Sequence, residues 1–471
     1  MRHRLLAALL AALLIVGCAG SSPQRDLARV NQLSKRALPE RLVEGEVEAT
    51  TDEEVEQLMK EPLTQESAVR VALTNHRELR AQLRELGVVR GKRIQAGLLP
   101  NPIVEVELLP ERETQLELRL EYDITHALLA PFRGRAVEPE LEAARLLVAS
   151  RVIEVGGDVR AAFVRLQATE ARYAQAKTVV EAFAAEFAAA ESLVDSGNQP
   201  ELSRTARQAA LEQARVDLAA YELDTVVTRE RLQRQLGTYG ETAYWQLGEP
   251  LGTVPETVEL PESAERDAVR ANLALQSQRH KLEALARQAG AENAAGWIPD
   301  VSADFHALKE SPDAIPTTGE TWRYGGGFTM SVPLFDRNQG HVTALRAQFD
   351  AQTERYLGRA VNLRSQVREL RFRLSSAHLR TQHFQRVLLP LQEKLLEQTL
   401  LQVNAMQIGV FDLLAARRRQ LLAALGAIDA RRDYFLARIE LDVLMAGGMG
   451  PVGSEMETAT MQSGGQSAGG H

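Results

Sequence analysis

The run Ala96-Gly97-Leu98-Leu99-Pro100-Asn101 returns 199 positions later as Ala295-Gly296-Trp297-Ile298-Pro299-Asp300. Three further blocks repeat in the same order: Val71 to Asn75 lies against Ala268 to Asn272 at an offset of 197, Pro131-Phe132 pairs loosely with Pro333-Leu334-Phe335, and Gly197 pairs with Gly409 at an offset of 212. Offsets that drift slowly are what loop insertions produce between two copies of one unit. The duplication constrains the fold more than any other feature, because an architecture must accept the same element order twice.

That order is helix, two strands, helix. Val104 to Leu108 and Leu116 to Tyr122 alternate apolar and charged residues across a short turn at Pro110-Glu111-Arg112-Glu113, and Val301 to Leu308 and Trp322 to Val332 hold the corresponding places in the second copy. Period two is the strand signature. A strand crossing a bilayer needs about 9 to 11 residues, and an open edge in lipid costs several kcal/mol per unpaired backbone group. Four such strands could span only by closing with strands of other copies; three chains would give twelve. On pattern alone a pair of soluble hairpins stays open as the other reading.

The helices are long. Ala136 to Asp195 reads as one helix of about 60 residues, which would extend roughly 90 Å, and Val342 to Met406 is similar. Leu211, Ala214, Leu218 and Tyr221 step at coiled-coil spacing, as do Leu421, Leu425, Ile428, Phe435 and Ile439. Pro390 should bend the second long helix or open one backbone bond. Pro100 and Pro299 precede the first strand of each copy and Pro131 and Pro333 follow the second, so all four are expected at helix-strand junctions, because the residue before a proline is pushed out of the α region. At the far ends, Ser196 to Pro200 and Ile408 to Val410 read as tight helix-turn-helix tips.

Arg2 and Arg4 precede the apolar run Leu5 to Val16, and Ile15-Val16-Gly17 leads into Cys18, the only cysteine. About 12 apolar residues are too few for a spanning helix, so the run reads as a lipoprotein signal, with Cys18 as the site of lipid attachment. Ala19 after the cysteine resembles lipoproteins sent to the Gram-negative outer membrane. The expected plan is a signal peptide at 1–17, a lipidated segment at 18–60, repeats at 61–250 and 251–446, and a disordered tail at 447–471. Loss of Arg2 and Arg4 would move the formal charge from -8 to about -10, which argues against nucleic acid as a partner.

The lipobox, the doubled helix-strand-strand-helix unit, the Gly-x-x-Pro junctions, Pro333-Leu334-Phe335-Asp336 and the run Gly409 to Arg417 together resemble outer-membrane efflux proteins of the TolC type, over roughly Glu61 to Ala446. The first tip, Gly197 to Leu202, and the first barrel exit, Ala130 to Arg135, depart from the commoner patterns. The resemblance implies a mainly α fold with a small β part: a homotrimer whose α-helical barrel carries a twelve-stranded barrel in the outer membrane. It implies partners in a periplasmic adaptor, an inner-membrane resistance-nodulation-division pump and outer-membrane lipid, with no cofactor and no catalytic residue. The adaptor-docking candidates are Gly197, Asn198, Pro200, Glu201 and Leu202 at one tip and Gly409, Val410, Phe411, Asp412 and Leu413 at the other. Asp195, Glu201 and Asp412 are candidate carboxylates of a charged ring at the entrance.

Other chemistry finds little support in the sequence. His378 and His383 are five residues apart, off a shared helix face, and read as surface or tunnel residues rather than ligands. Gly448 to Gly453 matches a dinucleotide pattern formally but follows a helix, not a strand. Met445, Met449, Met456, Met461 and His471 invite a copper or silver reading, against the plainer one of a flexible tail. The competing class is a lipid-anchored periplasmic coiled-coil adaptor, which would carry β-rich segments flanking one hairpin.

Overall fold

Helices interrupted by prolines and glycines at matching places give the chain its doubled order, and the computed structural model traces it over residues 22–35, 52–109, 115–240, 244–258, 261–310 and 321–450. Cys18, the turn at Pro110 to Glu113, and Met456, Met461 and His471 lie outside the described residues. After α1 (Pro23–Ser34) and α2 (Asp52–Lys60), the first copy comprises α3 (Gln65–Asn75), α4 (Arg77–Ala96), β1 (Ile103–Leu109), β2 (Gln115–Asp123), α5 (Ile124–Asp195) and α6 (Glu201–Leu236). The second comprises α7 (Ala264–Ala271), α8 (Leu273–Ala295), β3 (Asp300–Glu310), β4 (Thr321–Ser331), α9 (Gln339–His383), a π-turn (Phe384–Leu388), α10 (Leu389–Asn404) and α11 (Val410–Ala446). Among the described residues no helix is long and apolar enough to cross a membrane.

The start of each copy is a capped break. His76 separates α3 from α4, its ring accepting from Leu79 N–H (3.3 Å); Asn272 separates α7 from α8, its side-chain oxygen accepting from Leu275 N–H (2.8 Å). These caps align His76 with Asn272, so the sequence pairing of Val71 to Asn75 with Ala268 to Asn272 is one residue out of register. The long helices return to the same level. Gly237 ends α6 and Gly447 ends α11 in the left-handed conformation, and a Cβ would meet Asn75 O at 2.8 Å and Ala271 O at 2.4 Å respectively. Two cores lie at this mid-level. One gathers α3, α4, α5 and the end of α6 around Phe163, Leu166, Leu232 and Leu236; the other gathers α7, α9 and α11 around Val367, Leu374, Tyr434 and Leu444.

Three expectations need correction. Pro131 is not a junction: α5 begins at Ile124, directly after β2, and runs through both Pro131 and Pro139. The start is fixed by Asp123, whose carboxylate accepts from His126 N–H at 2.7 Å, and a capped start overrides the preference read from the proline. Residues Gly447 to Gly450 are packed rather than tail, with Asn272 donating to Gly448 O (3.0 Å) and Met449 N–H donating to Glu154 (3.0 Å). Met445 packs against the second core, and His378 is buried beside Pro255 O (2.9 Å) and Tyr434. Pro390 acts as expected: just before it Leu389 N–H reaches back five residues to Phe384 O, a one-turn π-bulge.

Candidate channel wall and docking tips

The four strands form one antiparallel sheet in the order β1-β2-β3-β4, so the two hairpins join through β2 and β3, and β1 and β4 each have one edge with no described strand beside it. The register sorts the side chains. Val104, Leu120 and Phe305 lie in one row, Val106, Leu118, Ala307 and Tyr324 in another, all on the same face. The alternate rows hold Glu105, Arg119 and His306, then Glu107, Glu117 and Arg323, then Glu121 and Asp304. Large apolar side chains stand open on the first face: Val104, Val106, Leu108, Tyr324, Phe328 and Met330. A strip with one apolar face, one charged face and two open edges is incomplete as a soluble object.

Below the strands, exposed Leu98, Leu99, Trp297, Ile298, Leu334 and Phe335 mark the boundary with the helices. Pro100 and Pro299 sit in the short links before β1 and β3, and Pro333 follows β4. Thr125 ties the level together, its hydroxyl donating to Pro299 O (2.9 Å) and accepting from Val301 N–H (2.8 Å).

The opposite ends are two turns of one geometry. At the first, Gly197 has φ +75°, Gly197 N–H donates to Val194 O (2.9 Å) and Asn198 N–H to Leu193 O (2.8 Å). At the second, Met406 has φ +57°, Met406 N–H donates to Val403 O (2.9 Å) and Gln407 N–H to Gln402 O (3.0 Å). Gly197 therefore corresponds to Met406, and Pro200, the N-cap of α6, corresponds to Gly409, the N-cap of α11. Matching glycine to glycine in sequence paired the wrong residues, because the left-handed position of the second turn is held by a methionine, 93% exposed.

The structure brings Asp195 and Glu201 together through Arg204, which donates to Asp195 (3.3 Å) and Glu201 (2.6 Å). Asp412 accepts from Gly409 N–H (3.1 Å), a cap on α11. Leu202 is 77% exposed, and Phe411 lies under the Arg207 guanidinium at 5.0 Å. Above the turns sits a node that no sequence pattern announced. Glu186 of α5, with its side chain 2% exposed, lies 3.5 Å from Arg207 of α6 and 3.6 Å from Arg418 of α11. It joins the first hairpin to the second, and only three-dimensional proximity could have found it.

Residues 266–447 match the model of the outer membrane efflux protein family. The efflux-protein domain of that model falls on the second copy. The first copy has the same element order as this domain although the family model stops short of it. The fold of the whole resembles solved structures: CusC, described as undergoing transmembrane channel formation (TM-score 0.66, 17% identity, covering 82% of this chain and 92% of that one), a Pseudomonas aeruginosa membrane protein (0.68, 17%, 82% and 92%) and the Vibrio cholerae outer membrane protein VceC (0.63, 16%, 82% and 96%). No curated protein matches the chain.

The mid-level helices of both copies are rich in charge. Burial pushes the carboxyls of Asp158 on α5 and Glu440 on α11 above their ordinary range, against the pull of Arg151 and Arg373 respectively. Burial also raises Glu142, but bonds from Arg29 and Arg145 outweigh it and hold that carboxyl low. Asp26 of α1, 2% exposed, lies 2.5 Å from both Arg90 and Arg145 and clamps the N-terminal helix to α4 and α5.

Proposed function

We propose that this protein is one of three identical protomers of an outer-membrane duct that carries small toxic compounds or metal ions out of a periplasmic adaptor and inner-membrane pump. The sheet carries this reading. One apolar and one charged face suit a wall between lipid and water, and the open edges of β1 and β4 call for closure by neighbours, which three copies supply as a twelve-stranded barrel. The long helices then continue the duct into the periplasm.

In this reading the chain is a non-enzymatic lipoprotein: residues 1–17 are the signal, Cys18 bears the lipid, and 61–250 and 251–446 are the two repeats. The exposed tips, with Gly197, Asn198, Pro200, Glu201 and Leu202 beside Gly409 to Leu413, dock the adaptor of a resistance-nodulation-division system. Asp195, Glu201 and Asp412 supply negative charge at the entrance, tempered by Arg204. An adaptor would present one hairpin between β segments, whereas here two hairpins of strands fuse into one sheet between helices.

The test is the protein mass, by light scattering, of material extracted by detergent from the outer-membrane fraction. A trimer is expected; a monomer released without detergent would return the strands to a soluble role. Single-channel recordings of the trimer then check the entrance: neutralising Asp195, Glu201 and Asp412 should lower cation selectivity, and unchanged selectivity removes the ring.

A further inference from the structure

A cavity of about 620 Å³ opens where α5 leaves the sheet and α8 approaches it, in the size range of small-molecule sites. One wall is apolar, from Leu129, Phe132 and Ile298; the other carries Arg133, Arg135 and Arg287. Its level is fixed by the Thr125 bond to Pro299 O, since Leu129 is one helical turn below Thr125 and Ile298 immediately precedes Pro299. The cavity therefore lies at the foot of the strands.

The three arginines differ in how they are engaged. Arg133 reaches the His126 ring (3.1 Å), Arg287 donates to Arg135 O (3.1 Å) and Glu283 (2.5 Å), and the exposed Arg135 guanidinium has no bond to a described residue. The acid in the lining, Glu292, is already bound by Asn338 (2.5 Å). Positive charge thus exceeds negative beside an apolar wall that continues toward the exposed Phe132 and Ile298. Guanidinium groups match phosphate oxygens in geometry as well as charge, and basic recesses at a membrane boundary recognise anionic headgroups.

We infer that this cavity binds an anionic phospholipid from the periplasm-facing leaflet, its phosphate on Arg135 and Arg287 and the start of an acyl chain along Leu129, Phe132 and Ile298. The inference rests on the membrane reading above, which places the strands in lipid. A bound lipid would seal the step between the barrel and the helices, where the apolar faces of both end.

The experiment uses the full-length oligomer, purified in neutral detergent and stripped of lipid, titrated with dihexanoyl phosphatidylglycerol, dihexanoyl phosphatidylcholine or inorganic phosphate and read by native mass spectrometry. The anionic lipid should bind at least about tenfold more tightly than the zwitterionic one, and R135Q/R287Q should abolish the preference, while R215Q on the distant α6 keeps it. Ala291→Trp, which fills the cavity from α8 and leaves all three arginines in place, should give the same loss if the arginine variant fails to assemble. Equal affinity for the two lipids, unchanged binding in both variants, or binding of phosphate without lipid overturns the assignment. A stable oligomer that takes no lipid sinks this inference alone, whereas a detergent-independent monomer sinks the membrane reading beneath it.

Discussion

At the first tip the left-handed residue is glycine, and at the second it is Met406; at the first mid-level break the cap is His76, and at the second it is Asn272. Level for level, the repeats share hydrogen bonds and differ in the residues that make them. Backbone geometry was the property kept in common, and side chains diverged wherever a second type could reach the same bond. The places where the repeats differ in energy as well as identity are where that comparison can be broken.

The largest difference lies below the strands. A Cβ on Gly296 would stand 2.1 Å from Arg337 O, with Arg337 C at 2.7 Å, whereas a Cβ on Gly97 would meet nothing nearer than Gly134 Cα at 3.6 Å. Backbone cannot swing aside as a side chain can. Gly296→Ala should cost at least about 3 kcal/mol and deplete the oligomer, while Gly97→Ala should cost under about 1 kcal/mol. Thermal melting and oligomer yield check both, and equal effects would mean that the two junctions are packed alike.

The duplicated order, all four strands and the long helices were legible because hydrophobic period and proline placement are local signals. Strands expected over Val301 to Leu308 and Trp322 to Val332 appear as Asp300–Glu310 and Thr321–Ser331. What failed was register. Glycine usually marks a left-handed turn residue, which pairs Gly197 with Gly409 in the sequence, and nothing there says that Met406 takes that role. Pro131 misled for a related reason: its effect on the chain was outweighed by Asp123, whose capping bond depends on where the sheet ends. The Glu186 node and the arginine-lined cavity each draw on helices distant in sequence, so no spacing rule could assemble them.

Glu186 sharpens the comparison next. Counting back from the aligned turns, the second repeat places Leu395 where the first has Glu186, and Ala416 where it has Arg207. The first repeat has a buried charge at this level, whereas the second has an aliphatic and a small residue in its place. Glu186→Gln should destabilise by about 1 to 2 kcal/mol, less than a fully buried pair because Arg207 and Arg418 are 32% and 29% exposed. In single-channel recordings the same variant should raise the open fraction if the node holds the hairpins together at the tips. No change in either measurement would make the node incidental.

Swapping the turn residues should produce opposite signs. Met406→Gly removes the side chain that resists the left-handed conformation, and should stabilise by about 1 kcal/mol; Gly197→Met places one there, and should destabilise by a similar amount. Chemical denaturation of the assembled protein reads both. Adaptor binding should fall in Met406→Gly if the exposed methionine is part of the docking surface, which separates the backbone role of the residue from its contact role.

The smallest effect is confined to acid. Burial, with help from Arg151, holds the His76 ring below its ordinary value of 6.5, and the neutral ring is the form that accepts from Leu79 N–H. As pH falls, the unfolded chain takes up the proton first, so the contribution of His76 is fully present above about 6.5 and is lost as pH drops through that value. Asn272 makes the same bond without titrating. His76→Asn should therefore preserve the cap at pH 8 and flatten the decline in melting temperature between about pH 7 and pH 5. Asp158 and Glu440, raised by burial, act in the opposite direction, gaining stability as pH falls, so the difference between variant and parent isolates the histidine. If the two pH profiles run parallel, the ring is not the acid-sensitive element of the first repeat, and the two caps are equivalent in energy as well as in geometry.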